Sequence, residues 1–239
     1  IIITVKSNKT QFIKTEKQIN IMRENGKILA SMLTHLKNMV KPDVNTMDLE
    51  KEFIKLCDKY KVTPSCKGYA PYGMPPFPTG LCISINNESV HCYPKRSKIL
   101  HEGDVVTIDT AIEKNGFFVD SAISTGVGTK ISETRKSLLK AVEDSMYKAI
   151  EQVKPGARIG DVSNKMHETA KKYGFDVLRD YAGHGIGTKM HEWPEVACYG
   201  EKGTGPILQE GMTICVEALV CEGDPEVINT SAWETAMKD

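Results

Sequence analysis

Two aspartates sit where a buried fold seldom places them. Asp109 lies in "VVTIDTAIEK" and Asp120 in "FFVDSAIS", two runs rich in Val, Ile, Thr and Phe on either side of Asn115-Gly116. That pattern predicts a β-hairpin with one acid in each arm. If Asn115 and Gly116 form the turn, Asp109 stands opposite Ala122 and Asp120 opposite Ala111; a slipped turn would set the two acids face to face. Both registers put the carboxylates on one face of the sheet, as direct or diagonal neighbours. Like charges repel there, and burial adds a cost of roughly several kcal/mol for each unpaired ion. A shared proton, a lysine or arginine partner, or bound cations would each relieve it. A solvated polar face would need no remedy, but Ile108, Val119 and Ile123 flank the acids, and aspartate is depleted in strands.

Three further segments carry ionisable groups. In "YAGHGIGTKMHEWPEV" the glycines at 183, 185 and 187 bracket His184, leaving the backbone free to expose the imidazole or to approach a ligand closely. His191 follows seven residues on, and the segment lacks the Lys-Ser/Thr of a phosphate loop. In "GMTICVEALV" the spacing predicts a strand opened by Gly211 and interrupted by Glu217, a residue that rarely stays buried without a partner. His91 lies in "INNESVHCYP", after one strand and before a proline. Asp109, Asp120, His184 and Glu217 together make an oxygen-rich set with one imidazole, suited to divalent Mn, Fe(II), Co or Zn. An aspartate pair can bridge two such ions, and two-metal sites activate water while polarising a carbonyl. His91 and His191 remain as hydrogen-bond donors or general acids.

The elements that must position these residues are also legible. "TEKQINIMRENGKILASMLTHLKNMV" is an amphipathic helix with Thr15 as N-cap, and "TMDLEKEFIKLCDKY" a second, capped by Thr46. Pro64 to Gly80 is too proline-dense for regular structure. A third helix starts near Ser132, and "DVSNKMHETAKKY" forms a fourth. "VKPDVNTMDLEKEFIKLCDKY" from Val40 aligns without gaps on "VKPGARIGDVSNKMHETAKKY" from Val153, sharing Val-Lys-Pro, Asp48 with Asp161, Lys59 with Lys172 and Tyr60 with Tyr173. Helix, Lys-Pro turn, helix and strands thus occur twice, which predicts two pseudo-twofold α+β halves with a site at their junction.

Composition bounds the rest. At 239 residues, 40% hydrophobic and 26% charged, the chain can bury a core as a single domain. Lysine plus arginine equals aspartate plus glutamate at 31 each, so net charge makes no case for nucleic acid or an acidic membrane. No apolar run reaches transmembrane length, and "IIITVKSNKT" lacks the features of a secretory signal. Seven scattered cysteines without a C-x-x-C pair point to reduced thiols in a cytoplasmic setting.

The motifs in this order resemble the type I methionine aminopeptidases of the pita-bread fold. "VVTIDTAIEKNGFFVDSA" is similar to their two-aspartate hairpin, "GHGIGTKMHEWP" to their two-histidine loop and "GMTICVEALV" to their glutamate strand, and the likeness runs over nearly the whole chain. It implies one catalytic domain over residues 1–239, with halves at about 1–126 and 127–239 and an antiparallel sheet covered by helices. It implies a dinuclear centre ligated by Asp109, Asp120, His184 and Glu217, with Glu217 also shuttling the proton of the attacking water. His91 and His191 would contact the peptide, and Cys66, Tyr69, Phe77, Cys82, Met190 and Trp233 would line the methionine pocket, where sulfur and aromatic edges suit a thioether.

Two departures stand out. "APYGMPP" looks inserted before Phe77, and the family's fifth ligand, a glutamate in a terminal strand, is not matched. Glu234 in "SAWET" aligns instead with the tryptophan hairpin before that strand, so the strand is expected to be missing from the chain. The implied reaction is release of N-terminal methionine from nascent chains, by a cytoplasmic monomer that uses two divalent ions, with no nucleic acid or membrane partner and ribosome docking left open. An organellar home stays open if a targeting segment has been removed. A proline-specific peptidase of the same fold and a non-catalytic binding protein are the rival readings.

Overall fold

The computed structural model describes residues 12–238. Helix α1 (Glu16–Met39) begins at Thr15, whose hydroxyl accepts from Gln18 N while the Gln18 side chain accepts from Thr15 N. This reciprocal pair satisfies amides that the first turn leaves without partners. Helix α2 (Thr46–Tyr60) is capped by Asn45, not by Thr46 as expected: Asn45 Oδ1 accepts from Met47 N at 2.9 Å. Thr46 instead spends its buried hydroxyl on tertiary structure, donating to Lys98 O at 3.0 Å.

Both helices cover one face of a four-stranded antiparallel sheet. Strand β3 (Val105–Lys114) pairs along one edge with β4 (Phe117–Gly126), and along the other with β2 (Cys82–Ile85) and then β1 (Thr63–Pro64). Val106, Ile108 and Ile112 point into the helices with Leu29, Leu36, Leu49, Phe53 and Ile83, all fully buried. Each such side chain contributes about 1.5–3 kcal/mol relative to exposure. Period-two alternation then sends Asp109 and Ala111 to the opposite face. The turn is Asn115-Gly116, both at positive φ (57° and 80°), as the two-residue hairpin predicts. Buried Asn25 of α1 clamps it by donating to Lys114 O at 2.9 Å and Phe117 O at 3.0 Å.

The second helix pair, α3 (Glu133–Ile150, capped by Ser132) and α4 (Ile159–Lys172), reproduces local features of the first. Asp43 and Gly156, aligned after the two Lys-Pro turns, both take positive φ (69° and 90°). Val44 O and Ala157 O accept from Leu100 N and Leu208 N at 2.9 and 2.8 Å. Ser65 N donates to Ala111 O, and its aligned partner Leu178 N donates to Leu219 O, each at 2.9 Å. These bonds place Asp109 and Glu217 alike, each two residues before the acceptor. Val162, Met166 and Ala170 of α4 pack with Val177, Val196 and Cys198 in a second core.

Short antiparallel pairs complete the fold: β5 (Asp176–Val177) with β8 (Val220–Cys221), β6 (Ala182–Gly185) with β7 (Glu192–Ala197), and β9 (Val227–Asn229) with β10 (Thr235–Met237). The continuous buried strand expected from Gly211 is not formed. This half-buried segment changes partner midway: Cys215 N bonds His184 O at 2.7 Å beside β6, and Leu219 O then serves Leu178 N beside β5. Glu217 sits at the changeover, which is why no regular ladder runs through it. Residues 64–80 are irregular as expected, and Tyr69 O with Gly68 N closes on Phe77 at 2.9 and 2.8 Å, so 70–76 form an excursion with a narrow neck. Among the described residues, no helix is long and apolar enough to cross a membrane.

Candidate metal centre and active site

The register sets Asp109 opposite Ala122 and Asp120 opposite Ala111, the diagonal arrangement of the two that the sequence allowed. Burial, then the charge of Asp120, pushes the Asp109 carboxyl well above the usual carboxylate range. Glu217 joins them from the second half. Burial and Asp120 raise its carboxyl to about 7, although 35% of the side chain remains exposed.

His184 is the fourth member. Its Nε2 lies 3.7 Å from Asp120 Oδ2 and 3.4 Å from Glu217 Oε1. Its Nδ1 lies 2.8 Å from Gly185 O, and a carbonyl can only accept, so Nδ1 carries the proton and Nε2 is presented to the carboxylates. Burial opposes a charge on this ring, yet hydrogen bonding to Asp120 and to Gly185 O raises its pKa. The glycines beside it have a different purpose from the expected one. A Cβ on Gly183 would strike the carbonyl of Cys215, and one on Gly185 the carbonyl of Trp193. Close approach of neighbouring backbones, rather than ligand access or special φ, requires glycine at both positions.

His191 packs at a tilt against His184, with ring centroids 4.3 Å apart, and its Nδ1 lies 2.9 Å from the Tyr69 hydroxyl. Burial and the neighbouring His184 lower its pKa to about 4, so the ring is neutral. Its loop is fixed by an ion pair that sequence reading missed. Lys14 Nζ lies 2.6 Å from Glu192 Oε2, both side chains about 95% buried, and Glu192 also accepts from Lys189 N at 3.1 Å. Lys14→Met should therefore cost about 3–5 kcal/mol in denaturant unfolding, because it strands a buried carboxylate; Lys14→Met/Glu192→Leu should recover most of it. Equal losses in the single and double variants would contradict this.

The His91 ring meets Tyr181 edge-on at 5.5 Å and Trp233 at 6.1 Å. Its backbone has φ 60°, a conformation that non-glycine residues hold only when neighbours enforce it. Buried Thr235 of β10 supplies the enforcement: its carbonyl accepts from Ser89 N at 2.8 Å and Cys92 Sγ at 3.2 Å, and its hydroxyl donates to Val90 O at 3.0 Å. Trp233 meets Phe77 edge-on at 5.2 Å and donates from Nε1 to Pro75 O at 2.8 Å, which holds the excursion against Trp233. Cys82 pairs with Asp109 in the β2–β3 register. Met190 is buried in the loop between His184 and His191, a placement that ordinary core packing accounts for equally well. Glu234 is spoken for elsewhere, its buried carboxylate 2.6 Å from Lys95 Nζ.

The ion pairs that Asp120 and Glu217 make among the described residues are with His184 alone. Among the described residues, no lysine or arginine pairs with Asp120 or Glu217 to relieve the crowding. Carboxylate oxygens with one oriented imidazole form a donor set that fits divalent ions. Fold and site together define a metal-dependent hydrolase.

The comparisons agree. The sequence matches metallopeptidase family M24 over residues 20–233. Methionine aminopeptidase of Clostridium acetobutylicum is 38% identical over 231 residues, spanning 95% of this chain and 89% of that protein. The crystal structure of methionine aminopeptidase from Thermotoga maritima superposes with a TM-score of 0.90 at 36% identity, again over 95% of this chain and 89% of the other. Prolidase from Pyrococcus furiosus, at 22% identity and a TM-score of 0.71, shares the pita-bread fold alone. The chain belongs to metallopeptidase family M24.

Proposed function

We propose that this chain is a methionine aminopeptidase that holds two divalent ions, Co, Mn, Fe(II) or Zn, on Asp109, Asp120, His184 and Glu217. The observation that carries this reading is the convergence of the Asp109, Asp120 and Glu217 carboxylates on one oriented histidine, His184, which pairs with Asp120 and Glu217. When bound, the ions supply an activated water and polarise the scissile carbonyl. The chain's own residues do the rest. The Glu217 carboxylate takes the proton lost by the attacking water and returns it to the leaving amine. With the Tyr69 hydroxyl donating to Nδ1 of neutral His191, Nε2–H of that ring is left as a donor toward the peptide. His91, packed against Tyr181 and Trp233 and kept neutral by burial, donates a second hydrogen bond to the peptide.

The methionine side chain would lie among Cys66, Tyr69, Phe77, Cys82 and Trp233, with Met190 behind them, where thioether contacts with sulfur and ring edges are favourable. Nascent chains are the proposed substrates, the cytoplasm the proposed compartment, and a single catalytic domain acting as a monomer the proposed unit. The relatives named above are methionine aminopeptidases that match nearly the full chain, whereas the prolidase likeness rests on fold; this favours methionine over proline specificity. Full-length protein should release methionine from Met-Ala-Ser and discriminate against Leu-Ala-Ser by about 10-fold or more. Preferential cleavage of Ala-Pro would favour the proline-specific reading, and peptide binding without turnover the non-catalytic one.

A further inference from the structure

The thiol of Cys215 belongs to the same cluster. Its Sγ, a ring nitrogen of His184 and a carboxylate oxygen of Asp120 all lie within 4.8 Å of one another. The backbone explains the convergence. Cys215 N donates to His184 O at 2.7 Å and Ile186 N to Thr213 O at 3.1 Å, which sets Cys215 opposite His184. Cross-strand partners share a face, and so do residues two apart in an extended segment. His184, Cys215 and Glu217 therefore present their side chains to one side. The hairpin brings Asp120 to that side as well, through its ion pair with His184.

We propose that Cys215 is a metal ligand, placing a sulfur alongside Asp120 and His184 at one of the two ions. This rests on the carboxylate centre described under the proposed function and adds a soft donor to it. On binding, the S–H proton leaves to solvent and a sulfur lone pair forms the metal bond; no oxidation is involved. A thiolate would add a negative charge to those of the carboxylates and so help to offset the charge of two divalent ions. One thiolate also shifts preference from Mn(II) and Mg(II) toward Zn(II), Co(II) and Fe(II), because thiolate is a soft donor.

Zinc K-edge absorption of the zinc-loaded full-length protein tests this without reference to activity. The expected spectrum contains one sulfur neighbour at about 2.3 Å among nitrogen and oxygen neighbours at about 2.0–2.2 Å. That shell should vanish in Cys215→Ser and Cys215→Ala and persist in Cys66→Ser and Cys82→Ser, whose thiols also lie near Asp109. The two Cys215 variants guard against a single one failing to fold, which circular dichroism monitors. Zinc bound through nitrogen and oxygen alone, or a sulfur shell that survives loss of Cys215, overturns the assignment and leaves the carboxylate centre standing. Failure to bind zinc at all overturns both.

Discussion

Asp109→Asn is expected to give protein that folds yet retains almost no metal and loses peptidase activity by about 10³-fold or more, equivalent to about 4 kcal/mol of transition-state stabilisation. Among the described residues, no lysine or arginine forms an ion pair with Asp109, and the charge of Asp120 lies close by. Without ions, burial and the charge of Asp120 hold its carboxyl far above the usual range, so the ionised form is a burden on the fold. An amide of the same shape removes that burden and also removes the charge that draws a cation. The thermal midpoint of the metal-free variant should therefore equal or exceed that of metal-free wild type. Metal analysis beside a melting curve separates the two effects. Wild-type metal content and turnover in this variant would mean that Asp109 does not hold the ions.

His91→Ala should do the reverse, lowering kcat by about 10²- to 10⁴-fold while metal content stays near that of wild type. The ring sits between Tyr181 and Trp233 and makes no ion pair with the carboxylates. Its left-handed backbone is imposed by Thr235 and would persist in alanine, so the stability change should be small. Thr235→Val, which keeps the shape and loses the hydroxyl bonded to Val90 O, should reproduce part of the kcat loss, and Thr235→Ser should restore it. Loss of metal in His91→Ala would show that the residue has been given the wrong role.

The hairpin was readable because its determinants are local. Asn115-Gly116 accepts positive φ twice, and β-branched alternation then dictates which face Asp109 and Asp120 share. The duplicated Lys-Pro turns were readable for the same reason, since matching short segments form matching turns and caps. Errors arose where tertiary contacts decide. Thr46 and Asn45 both suit a helix cap, and the choice fell to Asn45 only because distant carbonyls claim the Thr46 hydroxyl. The glycines around His184 suggested ligand access, whereas the folded chain needs them for the Cys215 and Trp193 carbonyls, which no local pattern reveals. Lys14 and Glu192 are far apart in the sequence, and their pairing carries no short-range signal. Cys215 could have been found: it lies two residues before Glu217 in an extended run, on the same face.

The central claim is that crowded carboxylates, brought together from the hairpin sheet and the second half of the chain, are neutralised by divalent ions that this chain uses to cleave after N-terminal methionine. Its most direct test is to strip the full-length protein with a chelator, then titrate Co(II) or Mn(II) while following methionine release from Met-Ala-Ser. Activity should disappear on stripping and return as metal is added, saturating by about two equivalents per chain. Hydrolysis that survives complete removal of metal would contradict the account.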